Sequence, residues 1–211
     1  MRFNPLPFAF LAISVTAGDI AVTVTDQKRE PVAELVLWLE PLDAPVPPAT
    51  AAELSATVEQ IDEEFEPYTI AVRLGSLVEF PNRDDVQHHV YSLSTPARFD
   101  IPLHGGDETK SVIMDRTGLV PIGCNIHDWM LSHIVVVDTP WFGTTDGTGS
   151  LALANLPAGR YKLTAWHPRI RKPDEREITI VDGEATSVAL ELRLRPDRRI
   201  RRAPTSGGSR Y

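Results

Sequence analysis

The sequence predicts an all-β protein: a β-sandwich accompanied by a second, small β-sandwich module. Apolar residues recur at period two in short runs, turn-forming residues interrupt those runs every few positions, and one short stretch alone reads as helical. With 211 residues, 42% apolar and 7% aromatic, the chain can bury one sizeable core or two smaller ones, which excludes disordered and fibrous architectures.

Taken in order, residues 1–17 carry a cationic Arg2, an apolar stretch over 6–15, and Val15-Thr16-Ala17 before Gly18. That is the anatomy of a secretory signal peptide, so export to the periplasm is expected. No later apolar run is long enough to cross a bilayer. Residues 19–25 place Ile20, Val22 and Val24 on one face of a strand, and 34–39 continue with Val36 and Trp38 after a turn at 28–31. Four prolines make 41–48 an irregular connection, 51–58 is expected to form one or two helical turns, and the acidic stretch 59–66 a solvated loop or strand edge.

Strands are then expected at 68–74, 77–80, 89–93, 109–114, 119–123 and 133–137, a spacing that suits a sandwich. A second composition begins at 138–141. The turn Thr145-Asp146-Gly147-Thr148-Gly149 precedes strands at 151–155, 159–166, 176–181 and 186–194, with Asp182-Gly183 expected as a hairpin turn.

The formal net charge of −8 conceals an asymmetry, because six arginines fall between residues 193 and 202. Without residues 1–17 and 193–211 the chain has 13 basic and 28 acidic side chains, a body of −15. Such a body repels phosphate backbones, so nucleic acid is not the expected partner and a positively charged protein is. The arginine-rich end, 195–211, is expected to be a solvated, flexible tail.

An exported chain with a single cysteine forms no internal disulfide, so Cys124 pairs elsewhere, stays buried or binds something. Its surroundings, Cys124-Asn125-Ile126-His127-Asp128-Trp129-Met130, place a thiol, an imidazole and a thioether at i, i+3 and i+6 in a loop between two strands. A loop can curl those donors around one ion, which an extended strand with alternating side chains cannot. His88 is the candidate fourth donor, arriving from the loop 81–87, with its neighbour His89 as the alternative because adjacent strand residues face opposite ways. Two imidazoles, one thiolate and a weak thioether form the ligand set of a mononuclear copper electron-transfer site.

These residues resemble the cupredoxins, or blue copper proteins, of the amicyanin and plastocyanin-like kind, including exported sequences of the "methylamine utilization protein" type. The Cys-x-x-His-x-x-Met loop is similar to that of amicyanin, matching Cys124, His127 and Met130. The stretch Asn82 to Val90 is similar to the family segment whose first histidine ligand follows an asparagine by six residues, which selects His88. Asp128 stands where amicyanin has proline, and Gln87 where a proline commonly precedes that histidine. The resemblance implies a Greek-key sandwich, one type 1 copper ion on His88, Cys124, His127 and Met130, and Asn82 as the residue whose hydrogen bonds tie the two ligand loops together. The later stretch through Leu156-Pro157-Ala158-Gly159-Arg160-Tyr161 looks like a carboxypeptidase regulatory-like or transthyretin-like sandwich.

On this reading residues 18–138 form the copper domain and 139–194 the second module, unless strands within 19–40 pair with the C-terminal module instead. The expected function is to carry single electrons between periplasmic redox partners such as a c-type cytochrome or a dehydrogenase. The alternative is copper binding and delivery without redox turnover. No enzyme is expected: Cys124 and His127 as nucleophile and base would lack an orienting carboxylate or amide and leave Met130 without a role. Trp129, with Leu131 and Pro96, is expected either to form an apolar docking patch or to pack against the second module. His104 is placed in a turn, His133 on the strand after the loop, and His167 at a strand end, none with a metal role.

Overall fold

The structure is a computed structural model that describes residues 17–106 and 108–199. The expected signal segment, apart from Ala17, and the tail from residue 200 onward lie outside the described residues. Among the described residues the chain is all β, with one 3-10 turn at Ala51–Leu54 where one or two helical turns are expected. No helix there is long and apolar enough to cross a membrane.

The chain begins with β1 (Ala17–Asp26) and β2 (Val36–Pro41). The 3-10 turn leads into β3 (Ser55–Thr57), β4 (Glu59–Ile61) and β5 (Glu64–Glu66). A continuous series follows: β6 (Thr69–Arg73), β7 (Leu77–Phe80), β8 (His88–Leu93), β9 (Arg98–His104), β10 (Lys110–Ile113), β11 (Gly118–Gly123) and β12 (Leu131–Val137). The C-terminal part contributes β13 (Phe142–Thr144), β14 (Ser150–Pro157), β15 (Gly159–Trp166), β16 (Asp174–Ile180) and β17 (Ala185–Leu192).

The sheets stack in four layers. The outermost has the order β14-β1-β17, the next β13-β2-β15-β16, then β6-β12-β11-β8-β9, and finally β10-β7-β3. The first two enclose a core of Ile20, Val22, Leu37, Leu39, Leu163, Leu190 and neighbours. The last two enclose another, built from Phe80, Val90, Ile122, Ile134 and Val136 among others, that includes Cys124 and Met130. Between the pairs lies a small third core of Val36, Ala71, Val135 and Val137. The run Ile134-Val135-Val136-Val137 in β12 is therefore buried on both faces, as expected of a strand in a covered sheet rather than a half-solvated one. The same holds for β2, whose Val36 faces one core while Leu37 and Leu39 face another.

Of the two divisions the sequence leaves open, the sheets follow the one in which strands within 19–40 pair with the C-terminal module: β1 pairs with β14 and β17, and β2 with β13 and β15. The segment between β2 and β13 is thus inserted into a module closed by the two ends of the chain, and burial of Ile20, Val22 and Val24 against Leu190 and Leu192 drives that closure. Contrary to expectation, Asp182-Gly183 does not close a hairpin. The strand after it lies parallel to β1 in the outer sheet, while β16 pairs with β15 in the neighbouring one, so the turn arches between sheets.

The stretch 59–66 is also more ordered than a solvated loop. β4 and β5 pair antiparallel, with Gln60 and Phe65 buried beneath them. The start of the arginine-rich tail is docked rather than free. Arg195 donates to the carbonyls of Pro168 and Ile170, and the Arg199 guanidinium lies 4.0 Å from the Tyr68 ring centroid and 3.4 Å from Glu34. An aromatic face and a carboxylate together make a favourable seat for a guanidinium.

Candidate metal centre

Cys124 follows β11 directly, and His127 and Met130 precede β12, so the antiparallel β11–β12 pair fixes both ends of their loop. Within it the Met130 N–H donates to the His127 carbonyl at 3.0 Å, and the Cys124 N–H to the Met130 carbonyl at 3.3 Å. The loop is closed on itself by its own backbone. His88 opens β8 on the neighbouring strand, which joins β11 through the Gly123–Tyr91 pair.

These placements bring one ligand atom each from His88, Cys124 and His127 within 4.8 Å of one another. The two Nδ1 atoms are 3.1 Å apart and the Cys124 sulfur is 3.9 Å from the His127 Nδ1. Donors bound to one ion through bonds of about 2.0–2.1 Å to nitrogen and about 2.3 Å to sulfur would lie roughly 3–4 Å apart. The group could therefore hold a metal ion. Met130 is 2% exposed and packs in the same core as Cys124.

Strand alternation separates the two adjacent histidines. His88 is fully buried and faces the cluster, whereas His89 points the other way, stacking on Tyr91 and pairing with Asp100 at 2.7 Å. Behind His88, its Nε2 lies 2.7 Å from Asp84 Oδ2, which directs the Nδ1 toward Cys124 and His127. Asp84 is the residue that sequence reasoning missed. Its position four residues before His88 is the only local signal for it.

Asn82 plays a different part from the one the resemblance implies. Its Nδ2 donates to the carbonyls of Val86 at 2.8 Å and His104 at 3.0 Å, and its Oδ1 accepts from the Asp84 N–H. It braces the His88 loop against the end of β9, and these bonds do not reach the Cys124 loop. The reason is topological: β9 flanks β8 at the sheet edge, which puts the His104 carbonyl within reach of Asn82.

Charge is balanced locally. Burial works to raise the Cys124 thiol, but hydrogen bonds from His88 and from the backbone N–H groups of His89, Ile126 and His127 outweigh it and lower its pKa. Burial likewise opposes the His88 imidazolium, and Cys124 and Asp84 overcome it, raising that pKa above the ordinary histidine value. Thiolate character is thus favoured where a soft ion would need it.

Trp129 lies beside His127, ring centroids 5.3 Å apart, and its indole N–H donates to the Glu63 carbonyl at 2.9 Å. With Leu131 it also lines a cleft of about 140 Å³ that includes Glu34, Tyr68 and Arg199. Pro96 belongs elsewhere. It abuts Gly118 at the far end of β11, roughly 20 Å of strand away from Cys124. Exposed apolar side chains on the two loops are Val86 and Ile126, with Leu131 exposed at the start of β12.

Of the other histidines, His104 ends β9 rather than sitting in a turn and is buried against Gln60 and the Phe80 carbonyl. His133, in β12, contacts Tyr68 and Trp166, and burial, with Arg199 as a smaller contributor, lowers its pKa to about 4. His167, just after β15, is likewise lowered to about 4 by burial and by Arg169. Neither belongs to the cluster.

No protein-family model matches this chain, and no curated protein is significantly similar to it. Solved structures that are similar include a purple cupredoxin from Nitrosopumilus maritimus, at 17% identity over 39% of this chain and 99% of that one, TM-score 0.35. A reduced Cu(I) form of an amicyanin variant is 23% identical over 43% of this chain and 92% of that one, TM-score 0.37. A copper-containing nitrite reductase from Thermus scotoductus SA-01 is 23% identical over 47% of this chain and 25% of that one, TM-score 0.39.

Proposed function

We propose that this chain is an exported type 1 copper protein that carries single electrons between periplasmic redox partners. The observation that carries the reading is the convergence of one ligand atom each from His88, Cys124 and His127 to within 4.8 Å of one another. A bound copper ion supplies the one-electron couple.

The chain's own residues do the rest. Cys124 would offer a thiolate already favoured by its hydrogen bonds, His88 and His127 would offer their Nδ1 atoms, and Met130, six residues after Cys124 in the same loop, would offer a weak thioether. Asp84 holds the far nitrogen of His88, which fixes the ring's orientation. The closed backbone of the loop and the sheets beneath it keep the donors from relaxing apart as charge changes. No catalytic residue is assigned. The acidic body would steer a basic surface, such as that of a c-type cytochrome or a dehydrogenase, with an on-rate that falls as salt rises.

The test is a Cu(II) titration of the chain from Gly18 onward, followed by visible absorption and electron paramagnetic resonance, beside Cys124→Ser and Met130→Leu. An intense thiolate-to-copper band with narrow hyperfine splitting, lost in Cys124→Ser and shifted in Met130→Leu, is expected. A tetragonal or absent copper signal would overturn electron transfer. Tight copper binding without reversible reduction would leave copper capture and delivery.

A further inference from the structure

The β4–β5 hairpin carries none of the candidate ligands, yet its turn touches both loops that do. Asp62 and Glu63 hold φ of 53° and 58°, the left-handed pair that a two-residue type I′ turn requires. Their N–H groups donate to one carboxylate, Asp62 to Asp84 Oδ1 at 2.7 Å and Glu63 to Asp84 Oδ2 at 2.9 Å. That same Oδ2 lies 2.7 Å from His88 Nε2. On its other side Glu63 accepts the Trp129 indole N–H through its carbonyl, and Trp129 lies against His127. One residue's backbone thus joins the His88 loop to the Cys124 loop.

The hairpin is itself anchored. Phe65 inserts into the core that includes Cys124 and Met130, the fully buried Gln60 donates through Nε2 to the Phe80 carbonyl, and backbone bonds link Gln60 to Pro81 and Arg83 at the root of the His88 loop. A tether fixed at its base and bonded at its tip to two loops restricts their separation, which is how a support shell keeps ligands preorganised.

We propose that the Asp62–Glu63 turn is a clamp that sets the spacing of the two loops, holding His88, Cys124 and His127 converged before any ion binds. The consequence for copper, a site that rearranges little between redox states, rests on the function proposed above. The clamp itself does not.

Trp129→Phe keeps an aromatic ring beside His127 and removes the indole donor together with part of the ring's volume. Losing one such hydrogen bond should raise local opening by roughly three- to tenfold. Two measurements on the metal-free chain read that opening: amide hydrogen exchange at residues 62 and 63, and the alkylation rate of buried Cys124. Both are expected to accelerate in Trp129→Phe and in Asp84→Ala, while exchange in β12 stays at its original rate. On loading with copper, Trp129→Phe should keep the thiolate band and shift in reduction potential. Unchanged exchange and alkylation in Trp129→Phe would overturn the clamp, as would acceleration confined to Asp84→Ala or spread equally through β12. If the unaltered chain shows no thiolate-to-copper band, the copper reading fails while the metal-free measurements still decide the clamp.

Discussion

Asp84 Oδ2 lies 2.7 Å from His88 Nε2, with His88 fully buried and its opposite nitrogen 3.1 Å from His127. A histidine held on its far side by a carboxylate has one nitrogen left to offer, and its ring cannot turn away without breaking that bond. The orientation of the first candidate ligand is therefore set by an acidic residue in the preceding loop.

Asp84→Ala should weaken copper binding by about 10–100-fold, the usual cost of removing a carboxylate behind a ligating histidine. Competition against a chelator of known affinity measures it. An unchanged affinity would mean that packing alone orients His88.

The two adjacent histidines should separate cleanly. His88→Gln is expected to abolish the thiolate-to-copper band. His89→Gln should leave it in place, with a stability change of about 0–1 kcal/mol, because its partner Asp100 is largely exposed. Loss of the band in His89→Gln would reverse the assignment.

Stability should fall in mild acid because of the contact between the two modules. His133 and His167 have folded pKa values of about 4, below the ordinary value of 6.5, so at pH 5 the unfolded chain binds more protons than the folded one. Their contribution is complete above about pH 6.5 and is lost as pH falls toward about 4, on the order of 3 kcal/mol for each if independent. Urea denaturation of the metal-free protein between pH 7 and 4 measures this, and His133→Phe should flatten the dependence. A flat profile in the unaltered chain would show that these rings ionise without strain.

Thr145→Val should destabilise the module formed by the chain ends. The buried Thr145 hydroxyl accepts the Leu35 N–H at 3.0 Å and donates to the Val32 carbonyl at 2.7 Å. An isosteric valine strands both groups, at about 1–3 kcal/mol for each. Chemical denaturation would show the loss, while Cys124 alkylation in the folded protein is expected to stay unchanged.

Much of the site was legible because its signals are local. The order Cys124, His127, Met130 is compressed into seven residues between two strand patterns, and adjacent residues on a strand must face opposite ways, which made His88 or His89 a two-way choice. Asp84 and Glu63 were not legible. Acidic residues are common in this chain, and nothing in the stretch 59–66 distinguishes a hairpin whose backbone bonds two distant loops from a solvated edge. β9 went unread although Phe99, Ile101 and Leu103 alternate with Arg98, Asp100 and Pro102: a proline argues against a strand, and pairing with β8 at the sheet edge makes it one.

The sequence by itself determined the all-β character, most strand positions and the order of the candidate donors, because side-chain alternation and residue spacing act over a few residues. The tertiary structure decided which strands share a sheet. β1 and β17 lie parallel though they stand at opposite ends of the described chain, and the segment bearing the candidate metal centre is inserted between β2 and β13. It also decided that Trp129 reaches Glu63 and that Arg199 docks on Tyr68 and Glu34. Those pairings depend on which apolar faces can be buried together, a property of the whole set of strands that no local stretch carries.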